Sequence, residues 1–449
     1  MLMSVSQAAD FCGGEPVCGS GIGAIESVCV DSREVQKGSC FVCLQGTQVD
    51  GHKFAKEALE KGAALVIAEG RKIAGYGLKK CAEDFGAALL AVPDTLKALQ
   101  DAARGYLKQY PYLKRIGITG SSGKTTTKEI AAAIIGVEKA VICNEGNLNS
   151  ETGLPLSVFK TTAAHQVGIF EMGMNRAGEI GELAAVLKPE IACITNIGPA
   201  HIGCIGSLEK IAAEKKAIFS EFSGGETAII PEDDQFVRFL AEGVKGKVVE
   251  YGLRSWERAG GVKKSGLFGA DITWRGKSAR FPLAGEHNWA NALAAISIAT
   301  EAGAGIEAFM EGLRKVRPLF GRGEIIDDNG ITIVRDCYNA NPDSMEKAIT
   351  LCDEAGCEGR KVYVIGQMLE LGGHSKESHE KLGKRLTASR ADMVFLFGEE
   401  MAAASGLTEK NKFVTNDIEE LKQKLKAYCK KGDLVLLKGS RGCALERAW

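Results

Sequence analysis

The stretch GITGSSGKTTTKE, Gly117 to Glu129, gathers residue types that bind phosphate. Gly120 and Gly123 permit a tight turn, the amides opening the next helix point at an anion, and Lys124 brings a cation to bridging oxygens. The Thr125 hydroxyl suits a magnesium ion, and Ser121, Ser122 and Thr126 complete the loop. The common pattern has a glycine five residues before the second one; Ile118 stands there, so the loop is a shortened variant. A glycine-rich turn that binds nothing is the alternative, but the position between a predicted strand and a predicted helix favours a nucleotide.

Three further residues have metal chemistry within reach. Glu171 closes VGIF and His201 follows ITNIGPA, and the carboxyl ends of strands in an open α/β sheet are where ligands bind. A carboxylate is a hard donor for a divalent cation and imidazole an acceptable partner. In SLEKIAAEKKAIFSEF, Leu208, Ile211, Lys215, Ile218 and Phe222 fall on one helical stripe, which puts Lys215 on the apolar face. Two readings stand there: a lysine whose stem packs while its head reaches water, or a buried amine of lowered pKa, able to capture carbon dioxide as a carbamate and so become an anionic metal ligand.

These residues need a scaffold. A chain of 449 residues is long enough for about three domains. A formal net charge of −1 with 6% aromatic residues lacks the footprint of a nucleic-acid binder. The start, MLMSVSQAADFCGG, has no basic segment leading into an apolar one, and no run is long enough to span a bilayer. A cytoplasmic, monomeric protein without membrane insertion is expected. The 14 cysteines sit mostly inside apolar runs such as IACIT and VICN, where thiols act as small core residues. The one C-x-x-C, Cys40 and Cys43, lies in a predicted strand with no second pair at zinc spacing.

The pattern is α/β throughout. Residues 1–92 read as short strands (ESVCVDSR, GSCFVCLQG, AALVIAEG, GAALLAVP) around the helix HKFAKEALEKGA. Pro93 and Asp94 open a helix closed by Pro111. In residues 93–318, RIGITG, AVICNEG, VGIFEMG, IACITNIG and ETAIIPED alternate with helices, which implies a mostly parallel, P-loop ATPase-like sheet covered on both faces. GADITWRGKSARFPLAG alternates instead and predicts a hairpin turning at Arg275-Gly276, added to that sheet. Residues 319–449 form a third, Rossmann-like α/β domain from GITIVRDCYN, KVYVIGQM, DMVFLFG and DLVLLKGS.

TGSSGKTTT, EMG, ITNIGPAH, a lysine fourteen residues after that histidine, LAGEHNWANALAA, FGRGE, DCYNANPDS and KGSR come in the order and spacing of the Mur ligases, which the chain resembles over nearly its whole length. GMNRAGEIGEL, DCYNANPDSM and MLELGGHSKESH are similar to the branch that adds D-alanyl-D-alanine to UDP-N-acetylmuramoyl-tripeptide. The resemblance implies an ATP-dependent ligase acting through an acyl phosphate. It implies that Lys124 holds the β- and γ-phosphates, that Thr125 and Glu171 share one magnesium ion, and that His201 and carbamylated Lys215 join Glu171 at a second. Asn288 and Asn291 would face adenine, Arg322 and Asp336 the γ-phosphate and ribose, with Tyr338, Asn339 and Asn341 at the same rim. Ser32 and Arg33 would contact the uridine diphosphate, and Asn149 and Thr152 the muramyl peptide. The dipeptide would lie near MLELG and KGSR.

The chain departs from that pattern at Gln367, in place of an aspartate, at Ala217, in place of a glutamate, and at Ser150, in place of an asparagine. Neighbouring readings are the ligase that adds the third amino acid, a folylpolyglutamate synthase, a regulatory nucleotide switch, for which an N-K-x-D motif is missing, and a catalytically silent binder of the sugar nucleotide.

Overall fold

The computed structural model describes the chain apart from Ser20, Ile22, Thr47, Gln48, His201 and Gly260, and at residues 257–259 it describes the backbone alone. Two compact units emerge. The first comprises Met1–Gly117, Ala140–Gly173 and Glu179–Glu190, the second Ile118–Lys139, Met174–Gly178 and Ile191–Trp449. Among the described residues no helix is long and apolar enough to cross a membrane.

The first unit carries a five-stranded sheet in the order Glu15–Cys18, Ala88–Val92, Leu65–Glu69, Ser39–Val42, Ser27–Cys29. Its pairs are parallel except at the Glu15–Cys18 edge. Leu65–Glu69 and Ser39–Val42 are buried at every residue, as strands covered on both faces must be. The helix Ala55–Glu60 falls where expected; the helices Val5–Cys12 and Leu78–Asp84 are additions to the sequence reading. Cys40 and Cys43 are 2% and 0% exposed and serve as core side chains. The Thr95–Leu107 helix is capped by Asp94, whose carboxylate accepts from Lys97 N at 3.0 Å, a contact worth about 1 kcal/mol.

The strands Lys114–Thr119, Val141–Cys143, Val167–Glu171, Ile191–Ile194, Thr227–Pro231 and Lys247–Tyr251 come next. In the first unit Val167–Glu171 pairs in parallel with Val141–Cys143. In the second, Thr227–Pro231 pairs in parallel with both Ile191–Ile194 and Lys247–Tyr251, and the helix Lys124–Ile135 packs against Glu286–Glu301 and Ile306–Lys315.

The predicted hairpin forms and turns at Arg275-Gly276, with φ of 47° and 76°, the paired positive values of the tight turn that suits twisted strands. It does not extend the parallel sheet. Val262–Lys264, Ala270–Trp274 and Lys277–Phe281 make a separate antiparallel sheet. The reason lies in the alternation itself. Ala270, Ile272 and Trp274 are buried while Asp271 and Thr273 are not, so only one face is apolar, whereas a strand in the parallel sheet is covered on two. That face packs on the Ile306–Lys315 helix, with Trp274 and Phe309 ring centroids 5.2 Å apart.

The last sheet, also in the second unit, has the order Glu324–Asp328, Ile331–Asp336, Leu434–Lys438, Lys361–Gly366, Met393–Phe397, Lys412–Thr415. Only its first pair is antiparallel. Buried clusters cover both faces, so the mixed α/β architecture read from the alternation of apolar runs and helices is the observed one.

Candidate active site

In the second unit the phosphate loop joins the end of the Lys114–Thr119 strand to the Lys124–Ile135 helix. Gly123 is the N-cap residue, at φ 78°, and brings no side chain of its own to cap the helix, as suits a helix start that takes an anion. The loop is braced by the segment after the Ile191–Ile194 strand. Asn196 accepts from Ser122 N through Oδ1 at 2.9 Å and donates to Ser122 Oγ at 2.6 Å. Thr195 Oγ1 donates to the Ser122 carbonyl at 2.6 Å, and Ser121 Oγ donates to the Gly198 carbonyl at 2.9 Å. Both glycines are required: a Cβ on Gly120 would run into the Thr195 hydroxyl, and one on Gly123 into the Asn291 amide. Lys124 folds back over the turn, its Nζ donating to the Gly120 carbonyl at 2.8 Å. Thr125 is buried beneath.

Gly123→Ala is therefore expected to weaken nucleotide binding about tenfold or more. A left-handed alanine costs about 1–2 kcal/mol, and Asn291 must also move aside. Titration with a fluorescent nucleotide checks this; unchanged affinity would contradict the role given to the loop.

Lys215 lies in the last turn of the Leu208–Lys216 helix, whose N-cap is Ser207. It is 1% exposed, and its Nζ lies 3.9 Å from Met174 Sδ. Burial, reinforced by the Lys124 charge and opposed by Glu214, holds its pKa well below the ordinary lysine value. Of the predicted stripe, Ile211, Ile218 and Phe222 are buried with it and Leu208 is half-buried, while the α-helix stops at Lys216 and Ile218 sits in the 3-10 turn that follows. Lys216, one residue on, does the opposite and donates to the carbonyls of Phe239 and Glu242 at 2.6 and 2.7 Å. His201 lies outside the described residues.

Elsewhere in the second unit, Asn288 is buried and donates to the Ala284 carbonyl at 2.7 Å. The Arg322 guanidinium sits 4.1 Å from the Tyr338 ring centroid. Asp336 pairs with Lys438 at 2.9 Å. Lys438, 2% exposed, also donates to the Asn339 carbonyl at 2.7 Å, so it ties the strand end to the loop after it. Asn341 caps the Pro342–Glu354 helix, accepting from Ser344 N at 2.8 Å.

In the first unit Glu171 is 3% exposed at its strand end. Asn144 grips its backbone on both sides, accepting from Glu171 N and donating to Glu171 O, each at 2.9 Å. Asn149 donates to Glu171 Oε1 at 2.7 Å, which brings the expected metal ligand and an expected substrate residue together. Thr152 is the N-cap of the Gly153–Val158 helix, with no side-chain cap bond. Ser32 donates to Glu57 Oε2 at 3.0 Å. The Arg33 guanidinium, through its hydrogen bonds, holds the Asp31 carboxyl at about 2. Asn144, Thr195, Asn196 and Lys438 were not singled out from sequence, though each falls within a quoted motif or run.

Three family models match in chain order: the Mur ligase family catalytic domain at residues 24–107, the Mur ligase middle domain at 118–299 and the Mur ligase glutamate ligase domain at 321–441. The chain belongs to the Mur ligase family. A relative from Treponema pallidum (strain Nichols), UDP-N-acetylmuramoyl-tripeptide--D-alanyl-D-alanine ligase, is 43% identical over 453 residues, covering 100% of this chain and 98% of the relative. The crystal structure I of MurF from Acinetobacter baumannii matches with a TM-score of 0.89 at 29% identity, covering 99% of this chain and 97% of that one. MurF ligase from Thermotoga maritima in complex with ADP matches with a TM-score of 0.81 at 29% identity, over 94% and 96%.

The departures from the Mur ligase pattern are quiet locally. Gln367 Oε1 accepts from Glu400 N at 3.2 Å, Ser150 Oγ accepts from Gly153 N at 3.2 Å, and Ala217 starts a short 3-10 turn.

Proposed function

We propose that this chain is an ATP-dependent ligase that joins D-alanyl-D-alanine to the terminal peptide carboxylate of UDP-N-acetylmuramoyl-tripeptide, in cytoplasmic synthesis of the peptidoglycan precursor. The observation that supports this most is the braced phosphate loop within a chain alignable end to end with a relative of that name. Chemistry supplies the rest. A carboxylate is a poor electrophile; its oxygen takes the γ-phosphoryl group, the bond to the β-phosphate breaks, and ADP leaves. The dipeptide amine then attacks the acyl carbon, the new C–N bond forms through a tetrahedral intermediate, phosphate departs and the amine gives up its proton.

The loop amides and Lys124 bind and orient the phosphates and meet the charge that develops in transfer. The donor set suits magnesium: Thr125 and Glu171 offer oxygens, and Asn149 already fixes the Glu171 carboxylate. His201 and Lys215 are proposed to join Glu171 at a second ion. Lys215 qualifies only as a carbamate, formed when its neutral amine adds to carbon dioxide and loses a proton, and its burial favours the neutral amine. Bound there, the ions would offset the repulsion between a phosphate and a carboxylate that must meet.

Gly120, Ser121, Ser122, Gly123 and Thr126 are assigned to the phosphates, and Asn288, Asn291, Arg322, Asp336 and Asn339 to the rest of ATP. Ser32, Arg33, Asn149, Thr152 and Asn341 are assigned to the other substrates. Three functional domains, 1–92, 93–318 and 319–449, would bring sugar nucleotide, ATP and dipeptide respectively, in a monomer.

The decisive assay combines the protein with the UDP-muramoyl-tripeptide, ATP and D-alanyl-D-alanine. Pentapeptide and one phosphate per bond formed are expected. ADP release that ignores the dipeptide would sink this assignment in favour of a ligase for another amine.

A further inference from the structure

The loop after the Lys361–Gly366 strand, residues 367–373, is pinned at its first three residues. Gln367 N donates to the Phe397 carbonyl and Gln367 O accepts from Ser440 N, each at 3.1 Å. Met368 N donates to His379 Nε2 at 3.0 Å, and Leu369 N donates to Ser440 Oγ at 2.9 Å. His379 is 0% exposed, in the middle of the Ser375–Ala388 helix. Its Nδ1 lies 2.9 Å from the Ser375 carbonyl. A carbonyl can only accept, so Nδ1 carries the proton and Nε2 offers its lone pair to Met368. One neutral tautomer thus makes a strut between helix and loop.

The loop must be placed closely because of what meets its far end. A Cβ on Gly203 would lie 2.9 Å from Gly372 N and 3.0 Å from the Leu371 carbonyl carbon, so two backbones touch with no room for a methyl group. Leu369, the last of the three pinned residues, is 40% exposed.

We propose that His379 is a positioning residue for capture of the dipeptide: through the Met368 amide it fixes the 367–373 loop in the conformation that receives the incoming amine substrate. This rests on the ligase reading above and on the resemblance to the Mur ligases, which implies a dipeptide near MLELG. His379 itself is buried and acts only through the loop.

The test compares His379→Phe, which keeps the bulk and removes the acceptor, with His379→Gln, whose side-chain carbonyl can still take the Met368 N–H. The Phe variant is expected to raise the dipeptide KM about tenfold, the loss of one buried acceptor, with the KM values for ATP and sugar nucleotide within about twofold; the Gln variant should stay within about threefold of the parent. Hydrogen exchange at the Met368 amide, slow in the parent and Gln proteins and fast in the Phe protein, reads the strut without any substrate. Fast exchange with an unchanged dipeptide KM, or equal losses for all three substrates, would overturn the proposal. A parent that forms no pentapeptide at all removes the ligase reading and this role together, while the exchange result still reports on the strut alone. Should the Phe variant not fold, His379→Asn, too short to reach Met368, takes its place.

Discussion

Lys124→Met is expected to leave a folded protein that releases ADP at least about a hundredfold more slowly than the parent, the loss typical of removing one preorganised charge-stabilising donor. Methionine keeps the length and apolar stem but ends the hydrogen bond from Nζ to the Gly120 carbonyl. That bond is not what holds the loop. Asn196, Thr195 and the Ser121 hydroxyl brace it independently, so the melting temperature should move little while chemistry fails. Affinity for the sugar nucleotide, whose assigned contacts Ser32 and Arg33 lie in a 3-10 turn of the first unit, should be unchanged. ADP release within a few-fold of the parent would show that this cation does not meet the phosphates.

Lys215→Met should move two quantities in opposite directions. In buffer free of bicarbonate and divalent ions, a fully buried amine whose hydrogen-bond partner among the described residues is a sulfur atom at 3.9 Å is costly, and an apolar side chain of similar length removes that cost. A rise in melting temperature is expected, about 2–4 °C for each kcal/mol gained in a domain of this size. Ligase activity should fall at least about a hundredfold, because the anionic group needed beside the phosphates can no longer form. Lys215→Ala should lose activity likewise and recover part of it with added formate or acetate, which can occupy the vacant anionic position. Parental activity in Lys215→Ala excludes the carbamate; a drop in stability for the Met variant would instead mark the lysine as structural.

Sequence reading reached most of the scaffold because buried parallel strands leave a local signature. VGIF and VYVIG are apolar without alternation, and Val167–Glu171 and Lys361–Gly366 are buried at every residue. The edge strand Lys412–Thr415 leaves no such signature, since only its last residue is buried and edge pairing leaves little hydrophobic pattern. The hairpin shows the limit from the other side: its turn residues name the turn, but alternation says only that one face is covered and not by what.

Within the site, Lys124 and Gly123 were legible as a contiguous motif, and Lys215 as one charge on an apolar stripe. Asn144, which grips Glu171 27 residues away, and Lys438, which reaches Asn339 across 99 residues, carry no periodic signal. Their partners are set by which strand ends the topology makes neighbours, as where Asp336 and Lys438 stand opposite each other in a parallel register.

The distribution of sulfur has a practical consequence. All 14 cysteines are free, and among the described residues Cys204 is the one exposed. Desolvation keeps Cys40, Cys43, Cys193 and Cys352 protonated and unreactive. A maleimide dye at limiting concentration is therefore expected to label Cys204 ahead of the half-buried thiols, one residue from the Gly203–Gly372 contact. Its emission during turnover would follow that crossing in real time, without engineering a single codon.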